Sequence, residues 1–108
     1  TITKSMSCFT NHSIGIKLGN EKMLVIFPKN SKFPIEKILT FATYKDNQEG
    51  FTFEIYEGDS EKSFENKLIN VMNVNEIPLK PAKMVRIELK FSINEFGELD
   101  MILNNIVE

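Results

Sequence analysis

Val85, Ile87, Leu89, Phe91 and Ile93 alternate without a break with Arg86, Glu88, Lys90, Ser92 and Asn94. Successive side chains of an extended strand leave opposite faces, so this run predicts a half-buried β-strand. The knot Asn94-Glu95-Phe96-Gly97 follows, and Gly97 can supply the positive φ of a turn. Leu99, Met101 and Leu103 then alternate with Glu98, Asp100 and Ile102. A second strand, paired with the first as a hairpin, is the expectation.

The same pattern extends upstream. Ile14, Ile16 and Leu18 alternate with Gly15, Lys17 and Gly19. A turn over 19–22 leads into the run MLVIF at 23–27, read as a more fully buried strand ended by Pro28. KILTFATY at 37–44 and FTFEIYE at 51–57 flank a short polar knot at 46–50, which reads as another hairpin. Residues 58–66 are polar and turn-rich, 67–74 form one more strand, and 75–83 form a loop with two prolines. Seven or eight strands at spacings of about 8 to 14 residues, with no competing helical period, predict an all-β sandwich or barrel. Residues 1–12 carry the weakest pattern and read as a linker-like segment, and 13–108 as the domain.

Composition narrows the function classes. The 108 residues make one domain, large enough for a core without metal or disulfide support. A net charge of −2, with Lys and Glu interspersed, offers no nucleic-acid footprint. The longest apolar run is too short to span a bilayer. The lone Cys8 excludes an internal disulfide and points to a reducing compartment.

Catalytic chemistry is hard to assemble. The single histidine, His12, lies four residues from Cys8, but neither an orienting group nor an oxyanion site is visible beside the pair. One His and one Cys make a poor metal set. The five glycines are scattered and form no phosphate loop. No catalytic or metal site is expected. What remains is apolar surface: Phe51, Phe53 and Ile55 share one strand face, either as core or as the lining of a groove.

Five blocks then stand in the order and spacing of one family: SIGI at 13–16, KNSKFP at 29–34, FATYKDNQ at 41–48, IYEGD at 55–59 and FSINEFGEL at 91–99. The chain resembles, over about residues 13–103, the β-sandwich substrate-binding domain of the seventy-kilodalton heat-shock protein (Hsp70) chaperones. The resemblance implies two four-stranded antiparallel sheets whose loops cradle an extended peptide, by main-chain hydrogen bonds and a pocket for one leucine-like side chain. Carried over by position, the pocket wall is Ile16, Phe41, Phe51, Phe53 and Ile87, with Leu18 nearby. Gly19 and Tyr44 take the two arch positions over the peptide, and Gln48 a polar groove position.

Some residues depart from the family pattern. Phe51 stands where a small β-branched residue is usual at the pocket floor, so a partly occluded pocket is expected. Gly19 leaves one arch without a side chain, and the stretch at 5–9 replaces the usual leucine-rich linker, with Cys8 at its acidic position. The resemblance therefore implies a divergent chaperone module for hydrophobic segments of unfolded proteins, cytoplasmic and not itself an enzyme. Its ATP would belong to an ATPase domain of the full-length parent, and its partners to unfolded chains, co-chaperones and that domain in cis, with no nucleic acid and no membrane. The alternative is a degenerate domain with a closed pocket, acting as a protein–protein docking scaffold.

Overall fold

The computed structural model describes residues 9–108, and within them the chain is built from strands and one short 3-10 turn. The strands are β1 (Ile14–Lys17), β2 (Met23–Phe27), β3 (Ile35–Ala42), β4 (Gly50–Glu57), β5 (Lys67–Asn75), β6 (Arg86–Ile93) and β7 (Leu99–Val107), with the turn at Ser63–Glu65 before β5. They form two antiparallel sheets, ordered β2-β1-β4-β5 and β3-β6-β7. The fold is the expected all-β sandwich. Its second sheet has three strands among the described residues, where the resemblance implied four. No helix among these residues is long and apolar enough to cross a membrane.

The alternation at 85–93 does what its period requires. Val85, Ile87, Leu89, Phe91 and Ile93 are buried, and they pack with Ile16, Ile26, Phe27 and Ile55 of the other sheet. Each such side chain taken fully out of water contributes roughly 1.5–3 kcal/mol. The β6–β7 hairpin also forms as its turn residues demand. Gly97 takes φ +81°, and the Asn94 side-chain oxygen accepts hydrogen bonds from the N–H groups of Phe96 and Glu98 at 2.9 and 3.0 Å.

Two expectations change. The segments around the 46–50 knot are not a hairpin, because β3 pairs with β6 while β4 pairs with β1 and β5. The knot is a crossover between sheets, and its polar groups are spent on a distant loop. The Asn47 N–H donates to the Lys80 carbonyl at 2.9 Å, and the Asp46 carboxylate accepts from the Ala82 N–H at 2.8 Å. The run MLVIF, in turn, is an edge strand that buries Ile26 and Phe27 but leaves Leu24 and Val25 exposed. An apolar run records hydrophobicity, not the place of a strand in its sheet.

The expected linker-like segment 1–12 lies largely outside the described residues, Cys8 included. Of the part described, Thr10 is buried against the β2–β3 loop. Its hydroxyl donates to the Pro28 carbonyl and accepts from the Ser31 N–H, both at 2.9 Å.

Candidate functional site: an apolar groove between β1 and the β3–β4 crossover

The groove arises from a mismatch in strand length. β1 has four residues and β4 has eight, and their pairing covers only Ile14, Gly15 and Ile16 against Glu57, Tyr56 and Ile55. The first half of β4 is therefore bonded to β5 on one side but has no β1 neighbour on the other. β1 stops because the chain turns at once: the Leu18 N–H donates to the Lys22 carbonyl at 2.8 Å, and the Glu21 N–H to the Leu18 carbonyl at 2.9 Å. Glu21 adopts φ +64° within that turn, a conformation uncommon outside glycine.

The resulting groove encloses about 570 Å³. Ile16 and Phe53 lie almost fully buried at its base, and Phe41 and Phe51 are half-buried in its walls. The rings are packed to one another. Phe51 lies parallel to Phe53, with centroids 5.6 Å apart and planes 6° apart. Phe41 meets Phe53 at 4.9 Å with a 52° tilt. Phe51 thus stacks on its neighbour, and the groove stays open beside it.

At the rim, Leu18 is exposed, Tyr44 is 75% exposed, and a Cβ on Gly19 would meet no atom within 4 Å. One wall is polar. Lys17 Nζ stands 3.7 Å from Glu54 Oε2, and the Tyr56 hydroxyl donates to Glu54 Oε1 at 2.7 Å. That hydrogen bond, then burial and the nearby carboxylates, raises the phenol above its ordinary range. The two charges in the wall face each other, so the groove presents no uncompensated charge from this pair.

Seven of the nine residues picked from the sequence thus surround one cavity: Ile16, Leu18, Gly19, Phe41, Tyr44, Phe51 and Phe53. The other two are placed elsewhere. Ile87 is 0% exposed and stands opposite Phe41 in the β3–β6 register, in the core and away from the groove surface. Strand alternation puts both residues on one face, and only the covering by the other sheet separates core from lining. Gln48 is 2% exposed, and both ends of its amide are engaged internally. Its oxygen accepts from the Tyr44 N–H and its nitrogen donates to the Gly50 carbonyl, each at 2.8 Å. Gln48 braces the loop that carries Tyr44, and it is not among the residues that line the groove. Lys17 and Glu54 were missed by sequence reasoning. Their only signal was position, on the solvent-facing alternates of β1 and β4 beside a strand that stops early.

His12 lies outside this cavity. Its Nδ1 is 2.8 Å from Asp59 Oδ2, and Asp59 Oδ1 accepts from the Ser13 N–H at 3.0 Å. This is a clasp between the approach to β1 and the loop after β4. Among the described residues no group of three or more His, Cys, Asp and Glu side chains is arranged to hold a metal ion.

Comparison with known proteins gives a consistent result. The family model described as "Hsp70 protein" matches residues 6–104. A "Heat shock 70 kDa protein" of Neurospora crassa is 29% identical over 89 residues, which is 82% of this chain and 14% of that protein. "Heat shock cognate 70 kDa protein 3" of Dictyostelium discoideum is 33% identical over the same shares. "Chaperone protein DnaK" of Mycoplasmopsis agalactiae is 32% identical over 79% of this chain and 14% of its own length. The chain thus spans about one-seventh of the length of these relatives.

Proposed function

Because the chain belongs to the Hsp70 family, we propose that it is a peptide-binding β-sandwich module of a chaperone, taking extended apolar segments of unfolded polypeptides into the groove beside β4. The observation that carries this reading is the open, ring-lined cavity at the free first half of β4. An extended peptide there would meet strand backbone for main-chain hydrogen bonds and an apolar recess for one side chain, the two elements of strand-type recognition. Tyr44 and Leu18 would close over the peptide from opposite rims. Enclosing a leucine-sized side chain supplies roughly 1.5–3 kcal/mol, consistent with reversible capture.

Nucleotide does not fit this site. Its base is isoleucine and phenylalanine, the lysine of its polar wall faces Glu54, and the chain's glycines are dispersed along the sequence. ATP hydrolysis and the release of peptide would fall to a separate ATPase domain in a full-length parent. The cytoplasmic setting that the resemblance implies is part of the same reading, as is engagement by co-chaperones.

Titration of a fluorescently labelled, Leu-centred heptapeptide into the purified domain tests this. Saturable binding is expected, strengthened in Phe51→Val, which enlarges the recess, and weakened in Tyr44→Ala. If neither the native domain nor Phe51→Val binds, the reading fails, and a docking scaffold with a non-functional groove becomes the better account.

A further inference from the structure

We propose that the groove selects a planar aromatic side chain at the enclosed peptide position, and that Phe51 sets this selectivity. The inference rests on the peptide-binding reading above and names which peptides that site prefers.

The physical basis is the arrangement of the three rings. Phe53 is nearly buried, so an incoming side chain meets chiefly the half-buried rings of Phe41 and Phe51. Phe51 is parallel to Phe53 within 6°, and Phe41 is tilted 52° from Phe53. The two accessible rings are therefore steeply inclined to each other. A guest ring can lie offset over Phe51 or turn its edge toward Phe41, and either arrangement suits the aromatic quadrupole. A branched aliphatic side chain has no such quadrupole and covers two inclined flat walls poorly. Among the described residues the ion pair in the wall is internally matched, Lys17 with Glu54, so neither of the two demands a charged guest. The groove's 570 Å³ leaves space for a ring. Phe51 is the decisive wall because its half-buried ring lines the groove and is backed in parallel by Phe53. Replacing it by valine turns that ring into a branched aliphatic surface.

The test is a heptapeptide series identical except at the central residue, carrying phenylalanine, leucine or cyclohexylalanine, read by fluorescence anisotropy. Cyclohexylalanine matches phenylalanine closely in size and lacks the π face, so it separates aromaticity from bulk. The expected result is that the phenylalanine peptide binds a few-fold to about tenfold tighter than either of the others. Phe51→Val, checked for folding by thermal melting, is expected to lose that preference and to favour leucine. The ranking in the native domain stands whether or not the variant folds. Leucine or cyclohexylalanine binding as well as phenylalanine overturns the selectivity. An unchanged ranking in folded Phe51→Val overturns the role of Phe51. Failure of all three peptides to bind the native domain removes the peptide-binding reading itself, and this inference with it.

Discussion

Gln48 shows how a single side chain can serve a site without touching what the site holds. It sits in the polar knot between β3 and β4, buried, with its amide bridging the Tyr44 N–H and the Gly50 carbonyl. Truncation to alanine would leave both backbone groups short of a partner in a part-buried setting. The cost of such orphaned groups is about 1–3 kcal/mol. Gln48→Ala is therefore expected to lower the urea midpoint by a corresponding amount. It should also weaken peptide binding, because Tyr44 is no longer held over the groove. An unchanged midpoint would show that the loop is braced by its bonds to residues 80–82 alone. From the sequence, Gln48 was a polar residue beside aromatic ones, and that pattern fits a groove lining as well as an internal brace. Only the burial of its amide separates the two. The same holds for Ile87, whose alternation partners it with the groove residue Phe41 but whose covering by the opposite sheet removes it from the surface.

At the scale of elements, the groove exists because β1 is short and bent. A register irregularity falls between Ile14 and Gly15 where β1 meets β2. A side chain at Gly15 would collide with the Leu24 carbonyl, and it would crowd the Met23 side chain. Glycine is needed here for close approach of two backbones, as is usual where a strand is bulged. Gly15→Ala forces β2 away from β1, and overfilling of this kind typically costs about 1–3 kcal/mol. Since Ile16 follows directly and forms the groove base, the variant is expected to lose peptide affinity along with stability. Faster amide exchange along β1 and β2, with β6 unaffected, would locate the damage. Exchange rising uniformly through both sheets would contradict that assignment. The strands themselves were legible because period-two alternation is a local signal, seen most clearly in β6. The pairing of β3 and β4 was not legible. A turn-rich knot between two strands looks alike whether they pair with each other or part into different sheets.

Over the whole molecule, the approach to β1 and the loop after β4, neighbours at one end of the first sheet, are tied by the His12–Asp59 clasp. The hydrogen bond from His12, then that from the Ser13 N–H, holds the Asp59 carboxyl below its ordinary range. A folded-state value below the unfolded one adds stability that is present above the ordinary carboxylate pKa of about 3.9 and lost as pH falls through the folded value. Asp59→Asn is thus expected to be less stable than the native chain at neutral pH, by a small margin because the pair is exposed. The two should converge in acid, once the pH falls below the lowered folded-state value and the carboxyl is protonated in both folded and unfolded states. Urea unfolding at the two pH values measures this, and a gap that persists in acid would show that the clasp works through packing and not through charge.

The sequence by itself determined the all-β class, the approximate place of the strands, the alternating faces of β6, and the turn at Gly97. These follow from backbone geometry that acts between neighbours. Only the tertiary structure decided which sheet each strand joins, that MLVIF lies at an edge, that Phe41 lines a groove while Ile87 beside it is core, and that Gln48 is a brace. Those outcomes depend on contacts between residues far apart in the chain, such as Asn47 with Lys80. Such contacts leave no trace in local periodicity, because alternation records which face a residue takes and not what comes to cover that face.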